Sequence, residues 1–93
     1  MTGDPTSPQD IRLGDAARGF VGKIRRLDAL QTGSGSSLSA QELEQRLVEM
    51  GFVEGARVEI LHEGAIRRDP IAVRVDSATI ALRRSEAMAV IVE

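Results

Sequence analysis

Residues 71–82 read Ile-Ala-Val-Arg-Val-Asp-Ser-Ala-Thr-Ile-Ala-Leu. Two apolar alternations flank a polar dipeptide, the pattern of an antiparallel hairpin with one buried face. If Asp76-Ser77 form a two-residue loop, Val75 faces Ala78, Val73 faces Ile80 and Ile71 faces Leu82. All three inward pairs are then apolar, and a slip of one residue would turn every one of them to solvent. The outward pairs are Arg74–Thr79, Ala72–Ala81 and Pro70–Arg83. Asp76 tolerates the left-handed conformation that such a loop demands, and Ser77 less so.

The rest of the chain has to complete that sheet. Gly19–Leu27 reads as a first strand, with Phe20 and Ile24 on one face, Val21 and Leu27 on the other, and Gly22 as the expected bulge. Ala56–Leu61 alternates as another strand, and Ala89–Glu93 supplies a last one. Between them lies one helix. Ser39 and Glu42 have capping-box spacing, and Leu38 and Leu43 form a hydrophobic staple. Leu43, Leu47 and Met50 make one stripe, and Glu42 can pair with Arg46 one turn on. Gly51 ends the helix, with Phe52 packing back. The expectation is a mostly β fold with an inserted α-helix: a small, partly open antiparallel barrel of about five strands. Residues 1–10, with Pro5 and Pro8, read as a disordered tail before a domain at 11–93, and 31–37 (QTGSGSS) as a flexible loop.

Composition narrows the function. The 93 residues suffice for one small domain. Two Phe and no Trp or Tyr leave an aliphatic core and no base-stacking platform. Twelve basic against fourteen acidic residues give a net charge of −2, which argues against nucleic acid as a partner. Without cysteine there is no disulfide, thiolate metal site or Cys nucleophile. The longest apolar run, residues 87–92, is too short to cross a bilayer, and no signal peptide is visible, so a cytoplasmic protein is expected. No phosphate-loop or nucleophile-elbow motif is present, so no enzymatic activity is expected.

Three segments together resemble the ferrous iron transport protein A (FeoA) family: Leu13-Gly14 through Gly22-Lys23-Ile24, Arg46-Leu47-Val48-Glu49-Met50-Gly51-Phe52-Val53-Glu54-Gly55, and Asp69-Pro70-Ile71 with Ile80–Arg84 and Glu86-Ala87. The resemblance covers residues 11–93. The chain departs from the family pattern at Glu54, near Ile66 and Arg68, and at Asp76-Ser77, where Pro or Gly is usual. The resemblance implies an SH3-like barrel and a cytoplasmic accessory role to the FeoB-type membrane ferrous iron transporter, with binding to that transporter's cytoplasmic domain. The same barrel also occurs appended to metal-dependent repressors, which keeps a stand-alone module serving such a repressor as an alternative.

Two surfaces are candidates for partner binding. Leu47, Met50 and Phe52 could leave an apolar groove beside the helix stop, although a plain stop explains them as well. Ala72 and Ala81, flanked by Arg74 and Arg83, would form a small flat patch on the hairpin's outer face, against the simpler reading of a solvated sheet face. Arg67-Arg68 and Arg83-Arg84 could meet an acidic partner or simply be solvated. His62 with Glu59 and Glu63 is the one candidate set for a weak divalent metal, Fe2+ or Zn2+, and hence for a metal sensor or carrier. Strand alternation sets His62 and Glu63 on opposite faces, which makes them a poor chelate. No cofactor is required by any motif, and weak self-association is left open.

Overall fold

The computed structural model describes residues 11–29 and 39–93. The tail at 1–10, the Gly/Ser loop at 31–37 and the packing of Leu38 lie outside the described residues. In chain order the elements are β1 (Ile11–Arg12), a 3-10 turn (Leu13–Asp15), β2 (Val21–Leu27), α1 (Ala40–Glu49), β3 (Arg57–Ile66), β4 (Asp69–Val75), β5 (Ala78–Leu82), α2 (Arg84–Ala87) and β6 (Val90–Val92). Six strands form one antiparallel sheet in the order β1-β6-β2-β3-β4-β5. Its two ends, β1 and β5, do not pair, so the barrel is open. The strand beyond the five read from the sequence is β1, whose two residues are too few to show alternation.

Every strand from β2 to β6 sends residues into one buried cluster: Ile24, Val58 and Ile60, Ile71 and Val73, Leu82, and Val90 and Val92. A sheet can converge on one cluster in this way only by curling. Three register irregularities bend it: Ile24/Arg26 in β2, and Ile60/His62 and Glu63/Ile66 in β3. The bulge expected at Gly22 falls one turn later, because Gly22 answers a different need. A Cβ there would strike the Glu93 carbonyl oxygen and lie 2.7 Å from the Phe20 ring. Glu93 runs beside it, exchanging main-chain bonds of 3.0 and 2.9 Å with Lys23. The later bulge brings Leu27 to the core side with Phe20 and Ile24 and leaves Val21 exposed.

The helix begins and ends as its sequence dictates. Ser39 Oγ accepts from the Glu42 N–H at 3.1 Å, and Glu42 Oε1 accepts from the Ser39 N–H at 3.1 Å. With its carboxylate held at the cap, Glu42 makes no ion pair with Arg46 among the described residues. Gly51 at φ +103° closes a Schellman motif, with Phe52 N–H donating to Leu47 C=O at 2.9 Å and Gly51 N–H to Val48 C=O at 3.0 Å. Leu43, Leu47 and Phe52 plug the barrel.

The hairpin adopts the register its alternation requires, Ile71↔Leu82, Val73↔Ile80 and Val75↔Ala78, but on the open edge strand Ile80 is only half-buried and Ala78, beside the turn, is exposed. Asp76 takes the left-handed conformation at φ 53°. Its carboxylate accepts from the Arg57 N–H at 3.2 Å, which ties the turn to the start of β3. The β3–β4 turn is more demanding. Ile66 pairs with Asp69 across a two-residue loop in which Arg67 and Arg68 both have positive φ, 58° and 59°.

Candidate functional site

Strand alternation builds the site. With Val58, Ile60, Ile71, Val73, Val75 and Leu82 turned inward, the intervening residues of β3, β4 and β5 turn outward. Register then lays them in rows: Glu59–Arg74–Thr79, and His62–Ala72–Ala81. Pro70 and Arg83 continue the alternation at the far end. Ala72 is half-buried while Arg74, Ala81 and Arg83 are exposed, so the four hairpin residues singled out in the sequence do share one face.

At the Pro70 end this face deepens into an open groove of about 500 Å3, lined by Ile66, Arg67, Pro70, Ala81, Leu82 and Arg83. Ile66 is the most exposed large apolar residue described, at 78%. No alternation in the sequence marks it, because the pattern stops at Leu61 and the bulge beyond Glu63 is what carries β3 as far as Ile66. Gly64 permits that bulge, since a Cβ there would meet the Asp69 carbonyl group and lie 2.9 Å from Pro70 N.

Behind the groove sits a guanidinium that the sequence presents as half of a surface pair. Arg84 Nη2 donates to Glu63 Oε2 at 2.7 Å, and Nη1 donates to the carbonyls of Gly14 (3.0 Å) and Ala16 (2.7 Å). Its Nε donates to the Arg68 carbonyl at 2.8 Å. The same Glu63 oxygen accepts from the Arg18 N–H at 3.2 Å, and Asp69 Oδ1 accepts from the Arg84 N–H at 2.8 Å. One side chain thus fastens the 3-10 turn and Ala16, the middle of β3 and the β3–β4 turn together. It holds the groove's far wall in place and is not itself available to a partner.

The other candidates fall differently. Leu47 and Phe52 are fully buried, and Met50 is half-buried against the same core. Neither Leu47 nor Phe52 therefore offers surface to a partner: the Schellman motif folds Phe52 inward, where its ring fills the barrel. Of the metal candidates, Glu59 and His62 lie on the outer face, whereas Glu63 points away from them to Arg84. Among the described residues no three His, Cys, Asp or Glu side chains come close enough to hold a metal ion. No helix among them is long and apolar enough to cross a membrane.

A family model for the FeoA domain matches residues 11–93. The chain belongs to the FeoA family. The solved structures agree. This FeoA domain is similar to the zinc-complexed FeoA of Stenotrophomonas maltophilia, an SH3 domain protein, at 26% identity over 89% of each chain with a TM-score of 0.69. It is also similar to iron(II) transport protein A of Clostridium thermocellum, at 34% identity over 89% of this chain and 44% of that one, with a TM-score of 0.69. A manganese-dependent transcriptional repressor shares the fold, at 23% identity and a TM-score of 0.68 over 92% of this chain and 42% of the repressor. None of the curated proteins compared with the chain matches it.

Proposed function

We propose that this FeoA domain is a non-catalytic accessory factor of ferrous iron uptake, docking on the cytoplasmic part of a FeoB-type membrane transporter through the outer face of β3–β5. The observation that carries this reading is the family match across residues 11–93. The names of its structural relatives point the same way, one being an iron(II) transport protein. The outer face supplies what a docking surface needs. Small Ala72 and Ala81 allow close approach, an exposed isoleucine offers apolar area, and Arg74 and Arg83 border them. Direct metal carriage through Glu59, His62 and Glu63 has less support, because Glu63 is already engaged by Arg84.

The test is association of the labelled protein with the detergent-solubilised transporter in its nucleotide-free, GTP-bound and GDP-bound states. Binding is expected in at least one state, with Arg74→Glu/Arg83→Glu reducing it. An absence of association in all three overturns the reading.

A further inference from the structure

The open sheet has two edges, and they are protected very differently. Among the described residues β1 comprises two, too few to template another strand. β5, Ala78-Thr79-Ile80-Ala81-Leu82, has no charge, no proline and no bulge, and its pairing with β4 is regular throughout. These are the devices by which edge strands ordinarily avoid further pairing. A two-residue loop makes Val75 and Ala78 a hydrogen-bonded pair, so by antiparallel alternation Ile80 and Leu82 also bond to β4. The N–H and C=O groups of Thr79 and Ala81 therefore point out along the open edge, and no other described group bonds to them.

The groove adjoins this edge, sharing Ala81 and Leu82 with it. Its charged groups are engaged unequally. The two carboxylates that line it, Asp69 and Glu86, accept main-chain N–H bonds from Arg84 and Arg83 at 2.8 and 3.0 Å. The guanidinium groups of Arg67 and Arg83 form no ion pair among the described residues. A bare strand edge, an apolar floor of Ile66, Pro70 and Ala81, and two unpaired cations thus lie side by side.

From this juxtaposition we infer that β5 receives an extended partner segment as an additional strand, one that presents apolar and acidic side chains together on its groove-side face, at every second residue. Its main chain bonds to Thr79 and Ala81, an apolar side chain enters the groove, and its carboxylates meet Arg67 and Arg83. A second copy of the chain fits less well, since its own β5 carries no carboxylate for those arginines. The inference rests on the docking reading above and names the chemistry of the docked segment.

The experiment uses the full chain and a fluorescent heptapeptide in which threonine alternates with glutamate, valine and glutamate in turn, so that both glutamates and the valine share one face, read by anisotropy. The peptide is expected to bind, and its counterpart with lysine in place of both glutamates is not. Ala81→Pro removes an outward N–H without touching the β4 pairing, and should weaken binding about tenfold. Arg67→Glu/Arg83→Glu should do the same, with far-ultraviolet circular dichroism confirming that each variant folds. No binding at millimolar peptide, or equal binding by folded Ala81→Pro, overturns the inference. So does concentration-dependent dimerisation of the wild type that Ala81→Pro abolishes, which would assign the edge to a second copy. If the transporter binds wild type and Ala81→Pro equally, docking stands and strand addition falls. If the peptide binds and the transporter does not, the edge stands and the transporter reading falls.

Discussion

Replacing Arg84 with methionine tests whether one guanidinium holds the two ends of this fold together. Methionine keeps the apolar stem and removes four side-chain hydrogen bonds, to Glu63 and to the carbonyls of Gly14, Ala16 and Arg68. Breaking a fully buried ion pair costs about 3–5 kcal/mol. Here the two side chains are 18% and 20% exposed, so water recovers part of the loss. The expected destabilisation is therefore about 3 kcal/mol, from a total of roughly 5–10 kcal/mol for a domain of this size. The midpoint should fall by roughly 12–24 °C.

Without Trp or Tyr the chain has little intrinsic fluorescence, so urea and thermal unfolding are best followed by circular dichroism. Glu63→Gln alone should cost about 1 kcal/mol, because its amide oxygen still accepts from Arg84. In the double variant the two effects should couple by about 1–2 kcal/mol. A loss under about 0.5 kcal/mol for Arg84→Met, or no coupling, would show that the contact is not structural.

The β3–β4 turn holds two arginines in the left-handed region, so Arg67→Asn/Arg68→Gly should raise stability by about 1–2 kcal/mol in urea titration. The Arg84 bond to the Arg68 carbonyl should survive, as it uses the main chain. Gly64→Ala should lower stability by about 1–3 kcal/mol, because the added methyl meets the Asp69 main chain and has no flexible neighbour to displace. Phe52→Ala should cost about 3–5 kcal/mol in the same titration, as for any large core side chain. A partner-binding defect with unchanged stability would instead return Phe52 to the surface.

How much of this was legible beforehand depends on how far apart the interacting residues lie. The Ser39–Glu42 cap and the Gly51 stop involve residues a few positions apart, and their spacing alone specifies the geometry. The β4–β5 register is of the same kind, because two alternations joined by a short loop have one pairing that buries both apolar faces. From that register follows the shared face of Ala72, Arg74, Ala81 and Arg83. Gly22 shows the boundary. The sequence marks it as a special backbone position but cannot tell a bulge from a close approach, and the answer came from Glu93 at the other end of the chain.

The chain's own residue order determined that β2–β6 are strands, where α1 begins and ends, and the register of the β4–β5 hairpin, since each is settled by propensity and periodicity within about a dozen residues, whereas β1, the 3-10 turn and α2 carry too few residues to show a period. Tertiary structure alone decided that Leu47 and Phe52 fill the barrel, that Ile66 and Pro70 border a groove, and that Glu63 pairs with Arg84. Those outcomes turn on which distant segments meet when the sheet curls. Two arginines adjacent in sequence, Arg83 and Arg84, differ by no local signal. The guanidinium of one forms no ion pair among the described residues and that of the other is locked to Gly14 and Ala16, because strand alternation ends between them and the short helix turns the second toward the segment around Leu13–Ala16.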